Sequence, residues 1–275
     1  MGGSAAYERP AIAGSGMIAC GLAACATQTA TVRLLARSDA SAWRAEEGAQ
    51  SEARKLDRGA PERIKVTTDP ADLADCDLVV EAIAEDADAK VEVLTTLAEV
   101  ATEASLATTT SSLSIAELGE RSGSAARFFG LHVFSPVARM ELVELCLPAT
   151  LAGGIADRAR AWCAALGKTA IEVPDQTGFV VNRLLFPYLF EAVRLMEASG
   201  MQAADVDSCM QLGAGHPMGP LRLLDFVGLD VAVAIGESLD RDGAGAGADV
   251  VPPLIHRMVA AGKLGRKSGE GFFEY

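Results

Sequence analysis

The feature that most constrains the fold is a regular alternation of short apolar runs with helix-like stretches over the first two-thirds of the chain. Strands are predicted at 11–13, 32–36, 63–67, 78–80, 106–109, 128–134, 141–147 and 169–173. Short apolar strands separated by helical patterns indicate βαβ units and a mostly parallel sheet. The first part of the chain is therefore predicted to be an α/β domain with a doubly wound sheet.

The pattern changes after Pro174. One long helix-like stretch covers 179–198, and Pro187 within it predicts a kink. Further helices are predicted at 203–212, 221–239 and 251–261, with a loop rich in Gly, Ala and Asp at 240–249. No alternating strand pattern returns. We therefore predict two domains, an α/β domain over 1–176 and an all-α domain over 177–275.

A glycine-rich turn lies between the first predicted strand and an Ala-rich helix. Gly14, Gly16 and Ala19 form the pattern G-x-G-x-x-A, with Gly21 two residues further on. The first glycine allows a tight turn, the second lets the backbone approach a pyrophosphate, and the third small residue lets helix and strand pack closely. The helix N-terminus then offers N–H groups to the phosphates. Glycines also make plain turns, but this position favours a Rossmann-type dinucleotide-binding domain over 1–176.

The end of the second predicted strand bears on which dinucleotide this loop holds. An acidic residue there accepts hydrogen bonds from the adenosine ribose and repels a 2′-phosphate. Ala36 removes that repulsion, Arg37 can fork onto a phosphate, and Ser38 can donate its hydroxyl hydrogen. A solvated Arg37 and an acidic role for Asp39 are the alternatives. The sequence favours NADP over NAD.

Four polar residues stand where predicted strands or helices end: Ser111, His132, Glu144 and Asn182. A His–Glu pair on neighbouring segments suggests a base and its orienting carboxylate. Taken singly, the histidine is more often a core residue and the glutamate a solvated charge. The three histidines of the chain are widely spaced and lack a Cys or carboxylate set at ligand spacing, so no metal site is predicted.

Several long motifs resemble those of the short-chain L-3-hydroxyacyl-CoA dehydrogenase (3-hydroxybutyryl-CoA dehydrogenase) family. The resemblance covers nearly the whole chain and includes GSGMIACG, DLVVEAIAED, TTTSSLSI, GLHVFSPVARMELVEL, TGFVVNRLLFPYLFEAVRLME, LGAGHPMGPLRLLDFVGLD and GKLGRKSGEGFFEY. It implies an oxidoreductase that interconverts a short (3S)-3-hydroxyacyl thioester and its 3-oxo form with NAD(P). It also implies a homodimer joined through the helical C-terminal domain.

The resemblance also implies roles for particular residues. His132 looks like the base that takes the hydroxyl proton, and like the acid of the reducing direction when it is protonated. Glu144 looks like the carboxylate that orients His132. Ser111 and Asn182 look like groups that hydrogen-bond the reacting substrate. Two further residues match positions that line the cofactor site, Glu85 and Lys90.

The chain departs from the family's pattern beside these groups. The family often has asparagine where Thr109 and Ser135 stand, and usually has aspartate near position 36, so the fit of the substrate is open. The segment 45–62 is shorter than in many relatives, where a helical arm helps hold coenzyme A. Three basic residues there could meet its phosphates or lie on a solvated helix face: Arg54, Lys55 and Arg58. The acyl carrier is therefore coenzyme A or a carrier protein's phosphopantetheine.

Composition limits the classes of partner and compartment. A net charge of −13 over 275 residues repels nucleic acid and anionic membranes. No apolar run approaches the roughly 20 residues that span a bilayer. The six cysteines include no C-x-x-C pair, and the N-terminus shows no secretory pattern, so a cytoplasmic protein with reduced thiols is predicted.

Two rival functions stay open on the sequence. One is a dehydrogenase of the same fold that acts on a non-CoA hydroxy acid, such as a sugar acid or carnitine, or on a carrier-bound hydroxyacyl group. Related families share the four polar residues, which therefore do not discriminate between these substrates. The other rival is a cofactor-binding sensor or structural protein without turnover, and the intact set of four residues argues against it.

Overall fold

The computed structural model describes residues 6–241 and 250–275. The chain forms two compact units, Met1–Gln176 and Thr177–Tyr275. Most of the predicted loop at 240–249 lies outside the described residues. No helix in the described part of the chain is both long enough and apolar enough to cross a membrane.

The first unit is built on one eight-stranded sheet with the strand order β3-β2-β1-β4-β5-β6-β7-β8. The strands are β1 (Pro10–Ala13), β2 (Val32–Leu35), β3 (Ile64–Thr67), β4 (Leu78–Glu81), β5 (Ser105–Thr108), β6 (Phe128–Val133), β7 (Leu142–Cys146) and β8 (Thr169–Glu172). Strands β1 to β6 run parallel, β7 runs antiparallel to β6, and β8 is parallel to β7. The predicted α/β class with a mostly parallel, doubly wound sheet is confirmed.

Five helices accompany this sheet: α1 (Met17–Ala26), α2 (Asp39–Ala53), α3 (Ala87–Val100), α4 (Ile115–Arg121) and α5 (Ile155–Ala165). Every residue of β1, β4 and β5 is buried. Such apolar runs are typical of parallel strands that are covered on both faces. The side chains of Ser38, Asp86 and Ser114 accept backbone N–H groups at the starts of α2, α3 and α4, which satisfies donors that the helices leave unpaired.

The second unit is helical and comprises α6 (Val181–Ser199), α7 (Ala203–Ala214), α8 (Pro220–Val227), α9 (Leu229–Arg241) and α10 (Pro253–Ala260). The single helix predicted over 221–239 is wrong, because the chain breaks between α8 and α9 at Gly228. This glycine has φ 104°, which a right-handed helix does not accommodate. Pro187 lies inside α6, which continues to Ser199. The all-α character predicted for this part is confirmed.

Two buried aspartates order the second unit. Asp207 accepts the backbone N–H groups of Leu221 (2.8 Å) and Arg222 (3.0 Å), and it thereby caps the start of α8. Asp225 is fully buried and accepts the N–H groups of Phe272 and Phe273, both at 2.9 Å. Burial raises the pKa of both aspartates, while the backbone donors act in the opposite direction.

Candidate active site

The carboxyl ends of β1, β2, β4, β5 and β6 lie along one edge of the sheet, because these strands run parallel. The chain order of the strands reverses between β1 and β4. Ligands of open α/β sheets bind in the crevice at such a reversal. Most predicted site residues of the first unit stand at this edge or just beyond it: Gly14, Gly16, Ala36, Arg37, Ser38, Glu85, Ser111 and His132.

The turn after β1 is tight enough to require glycine at its first position. Gly14 has φ 147°, and its N–H donates to the carbonyl oxygen of Leu35 at 2.9 Å. A Cβ at position 14 would lie only 2.3 Å from the carbonyl oxygen of Ala82, which follows β4. Ala19 is fully buried, and its Cβ would lie 3.2 Å from that same added atom. The loop therefore packs directly against the neighbouring strand at the reversal.

The second glycine of the loop faces open space. Gly16 is the N-cap of α1, and a Cβ built there would meet no heavy atom within 4 Å. The first-turn N–H groups of a helix lack partners within the helix. This cradle fits the pyrophosphate of a dinucleotide, because backbone donors and space coincide. Gly21 differs, since a Cβ there would lie 2.9 Å from Val137 Cβ. Gly21 and Ala19 are thus packing positions that shape the loop, and their predicted part in cofactor binding stays a prediction.

The residue directly after β2 is an alanine and not a carboxylate. Ala36 is buried, and its N–H donates to the carbonyl oxygen of Thr67 at 2.9 Å. Arg37 is exposed and makes no hydrogen bond or ion pair with any residue that the structure describes. Ser38 caps α2, and its hydroxyl oxygen accepts the N–H of Ser41 at 3.4 Å. Asp39 is the first residue of α2 and is exposed.

A buried ion pair lies under the end of β4. Glu81 and Lys90 both have fully buried side chains, and Lys90 Nζ lies 2.7 Å from Glu81 Oε1. The same ammonium lies 3.4 Å from Glu85 Oε2. The Lys90 side chain has no exposed surface, so its predicted place in the lining of the cofactor site stays a prediction. Lys90 supports the partly exposed carboxylate of Glu85 from below.

Glu85 holds the backbone that follows β5. Its Oε1 accepts the N–H groups of Ser111 (2.9 Å) and Ser112 (3.1 Å), and the hydroxyl of Thr110 donates to the same atom at 2.6 Å. Burial by itself raises the pKa of Glu85, but the Lys90 ammonium and these hydrogen bonds outweigh it and hold the pKa below the ordinary value. Glu85 is therefore an ionised anchor for the segment that carries Ser111.

His132 and Glu144 form the other buried polar pair of this edge. They are opposed in the register of β6 and β7, and His132 Nδ1 lies 2.7 Å from Glu144 Oε2. Both side chains are more than nine-tenths buried. A carboxylate accepts hydrogen bonds, so Nδ1 carries the hydrogen and the basic nitrogen of neutral His132 is Nε2. The ring of Phe134 packs against the imidazole with centroids 4.5 Å apart.

Comparison with known proteins identifies the family that shares this arrangement. The model of the 3-hydroxyacyl-CoA dehydrogenase NAD binding domain matches residues 10–176, and that of the 3-hydroxyacyl-CoA dehydrogenase C-terminal domain matches residues 178–275. The chain belongs to the 3-hydroxyacyl-CoA dehydrogenase family. The dinucleotide of this family member is therefore of the NAD(P) type.

Individual relatives are similar to this chain over most of their length. A probable 3-hydroxybutyryl-CoA dehydrogenase of Deinococcus radiodurans is 44% identical over 214 residues, which cover 78% of this chain and 77% of that protein. A 3-hydroxybutyryl-CoA dehydrogenase of Mycobacterium tuberculosis is 42% identical over 212 residues, which cover 76% of this chain and 74% of that protein. The structure of (S)-3-hydroxybutyryl-CoA dehydrogenase from Ralstonia eutropha superposes with a TM-score of 0.89 at 34% identity. The match covers 98% of this chain and 99% of that chain.

Other predicted residues belong to different parts of the chain. Asn182 belongs to the second unit, where it is buried in the first turn of α6. At the end of α2, Arg54 donates to Gln50 Oε1 at 3.1 Å, and Lys55 pairs with Glu52 at 2.6 Å. These local pairs favour the solvated-face interpretation of the basic segment. No cluster of three or more His, Cys, Asp or Glu within 6–241 and 250–275 is placed to hold a metal ion.

Sequence reasoning missed three buried residues of this dehydrogenase site: Glu81, Thr108 and Thr110. For Glu81 the sequence did offer a signal, because a charged residue ends an otherwise apolar strand. The threonines carried no signal, because a Thr run at a strand end is ordinary in composition. Their hydrogen bonds join residues that are far apart in the sequence, so only the folded sheet reveals them.

Proposed function

We propose that the protein interconverts a short-chain (3S)-3-hydroxyacyl-CoA and the corresponding 3-oxoacyl-CoA by hydride transfer with NAD(P). The observation that carries this proposal is the buried His132–Glu144 pair at the sheet edge that also bears the dinucleotide loop. The names of relatives at 42–44% identity support a short acyl chain and coenzyme A as the carrier.

In the oxidising direction, His132 Nε2 accepts the proton of the substrate hydroxyl. Glu144 accepts the Nδ1 hydrogen, which fixes the ring, and its charge stabilises the imidazolium that forms. This stabilisation is stronger in a buried site than in water, because screening is weaker there. When bound, the oxidised nicotinamide would accept the hydride of the carbinol carbon, and the reduced nicotinamide would give a hydride back to that carbon in the reducing direction. In that direction the His132 imidazolium donates the proton to the carbonyl oxygen.

The hydroxyl of Ser111 is proposed to orient the reacting oxygen. The hydroxyl of Ser111 lies 3.4 Å from Glu85 Oε1, the longest of the contacts to that atom, so it can turn to a substrate oxygen at small cost. For Asn182, which belongs to the second unit, the substrate-binding role that the resemblance implies stays a prediction. Fixed donors act by holding the carbinol carbon in the geometry for hydride transfer.

The test is reduction of acetoacetyl-CoA, followed by consumption of the reduced cofactor. We expect turnover in the wild type and a loss of about 10²–10⁴-fold in His132→Gln, the range for a general acid–base group. His256→Gln, at an exposed histidine of α10, is the matched control and is expected to match the wild type. Normal turnover in His132→Gln, or activity only on free hydroxy acids or carrier-bound substrates, would contradict the proposal.

The preferred cofactor is proposed to be NADP. The exposed Arg37 without a partner among the described residues, the absence of a carboxylate at Ala36 and the hydroxyl of Ser38 support this choice. A 2′-phosphate would meet cationic and neutral donors at this strand end. A kcat/KM higher for NADPH than for NADH by at least tenfold is expected, and equal values would contradict it.

A homodimer is proposed through the second unit. Three leucines of that unit are exposed to unusual degrees, Leu184 (70%), Leu195 (53%) and Leu212 (90%). Large exposed apolar side chains favour a covered surface in the assembly. Sedimentation is expected to give twice the chain mass of 28.5 kDa. A monomer at micromolar concentration would contradict this proposal.

A cytoplasmic location is proposed from the thiols. All six cysteines are free, and five of them are buried. Burial raises the pKa of Cys146 and Cys163 to about 12, which keeps these thiols protonated and unreactive. Fractionation of expressing cells is the test, and recovery outside the soluble cytoplasmic fraction would contradict it.

A further inference from the structure

A closed ring of polar side chains lies beneath the segment that carries Ser111. Its five members are Glu81, Lys90, Glu85, Thr110 and Thr108. The ammonium of Lys90 bridges the two carboxylates at 2.7 Å and 3.4 Å. On the other side, the hydroxyl of Thr108 lies 2.7 Å from Glu81 Oε2, and that of Thr110 lies 2.6 Å from Glu85 Oε1. The backbone N–H of Thr110 closes the ring onto Thr108 Oγ1 at 3.1 Å.

The chemistry of the ring fixes the direction of each hydrogen bond. A carboxylate only accepts, so the hydroxyl hydrogen of Thr108 must point to Glu81. The lone pairs of Thr108 Oγ1 then face the N–H of Thr110, which donates to them. The hydroxyl of Thr110 donates to Glu85 for the same reason. The Thr108 hydroxyl therefore donates once and accepts once, while the Thr110 hydroxyl donates to Glu85 and accepts the N–H groups of Ser112 (3.4 Å) and Leu113 (3.1 Å). The backbone at residue 110 is thus held on two sides.

Burial makes this ring rigid. The side chains of Glu81 and Lys90 have no exposed surface, and Thr108 and Thr110 are at most 1% exposed. Water therefore does not substitute for any of these four members, and an unpaired group among them would keep its full desolvation penalty. The fifth member, Glu85, is 37% exposed. Hydrogen bonds in such a surrounding also strengthen one another. The segment 110–112 has one favoured backbone conformation as long as the ring is intact.

We propose that Thr108, together with Glu81 and Lys90, is a positioning residue for Ser111. The inference rests on the proposed function, in which the Ser111 hydroxyl binds the reacting substrate. Thr108 does not touch that substrate. It acts by joining the fully buried Glu81 to the backbone N–H immediately before Ser111, while Glu85 holds the N–H of Ser111 itself at 2.9 Å.

The experiment compares Thr108→Val, which removes the hydroxyl at nearly constant volume, with Thr108→Ser, which keeps it. We expect kcat/KM for acetoacetyl-CoA to fall about 10–100-fold in the valine variant, which is the effect of losing a buried hydrogen bond. The serine variant is expected to stay within about threefold of the wild type. Cofactor affinity, measured by fluorescence titration, is expected to change less than about twofold in both.

A double-mutant cycle separates positioning from a general structural effect. If Thr108 acts through Ser111, adding Thr108→Val to a Ser111→Ala variant is expected to lower kcat/KM by less than about twofold. An equal loss in both backgrounds would overturn the proposal. If Thr108→Val does not fold, the same cycle with Thr110→Val and Thr110→Ser tests the ring from its other hydroxyl.

A second measurement does not depend on activity. Amide hydrogen exchange at Ser111 and Ser112 is expected to be at least tenfold faster in Thr108→Val than in the wild type or Thr108→Ser. Unchanged exchange would overturn the positioning role even in an active enzyme. A third outcome is a wild type without dehydrogenase activity together with faster exchange in the valine variant. This outcome would contradict the proposed function but would still support the effect of the ring on the backbone of 110–112.

Discussion

His132 and Glu144 face each other across two antiparallel strands, with Nδ1 of the imidazole 2.7 Å from Oε2 of the carboxylate. The pair is separated by twelve residues in the chain, and the register of β6 and β7 makes them direct neighbours. Directly opposed residues of an antiparallel pair have side chains on the same face of the sheet. The geometry of this pair therefore depends on backbone pairing between two strands.

Glu144→Gln is expected to lower kcat by at least about 10²-fold, toward the full contribution of a general acid–base group. The amide can still accept the Nδ1 hydrogen, but it carries no charge to stabilise the imidazolium. Steady-state kinetics in both directions is the measurement. Glu141→Gln, an exposed glutamate just before β7, is the control and is expected to keep wild-type kcat. A normal kcat in Glu144→Gln would show that the charge is not used.

The two loop glycines are expected to fail in different ways. Gly14→Ala places a methyl group 2.3 Å from the Ala82 carbonyl oxygen, so unfolding free energy is expected to fall by about 1–3 kcal/mol or more. Gly16→Ala meets no atom and is expected to keep stability within about 0.5 kcal/mol. Its methyl group fills the pyrophosphate cradle, so cofactor affinity is expected to fall at least tenfold. Thermal unfolding and fluorescence titration together separate the two outcomes.

Arg37→Ala is expected to weaken NADPH binding about 10–100-fold, the range for a hydrogen bond to a charged group. NADH has no 2′-phosphate, so its affinity is expected to change less than twofold. Arg44→Ala, at another exposed arginine of the neighbouring α2, is the control for a general loss of positive charge. Equal effects of Arg37→Ala on the two cofactors would mean that the guanidinium is a bystander.

Lys90→Met is expected to lower the free energy of unfolding by about 3–5 kcal/mol, because the Glu81 carboxylate would remain buried without its partner ion. Lys55→Met breaks an ion pair of similar length at the surface, and it is expected to cost about 0–1 kcal/mol. Denaturant unfolding of both variants is the measurement. Equal small effects of the two variants would contradict this burial penalty.

Local pattern was sufficient for several parts of this protein. The apolar runs predicted all eight strands, and the glycine spacing predicted the turn after β1. Motif resemblance singles out His132 and Glu144 without giving their contact. The helical pattern did not predict the break at Gly228. A glycine within a helix-like stretch is compatible both with a continuous helix and with the break that the structure has.

The sequence by itself determined the α/β order of the elements, the family and the residue types available for catalysis, since these depend on local periodicity and on motifs. Only the tertiary structure decided that Lys90 lies beneath Glu85, that Thr108 joins Glu81 to the Ser111 segment, and that His132 meets Glu144. Such contacts depend on which strands are neighbours and in what register. Periodicity along one strand carries no information about its neighbour, so these side-chain partners are set only when the sheet assembles.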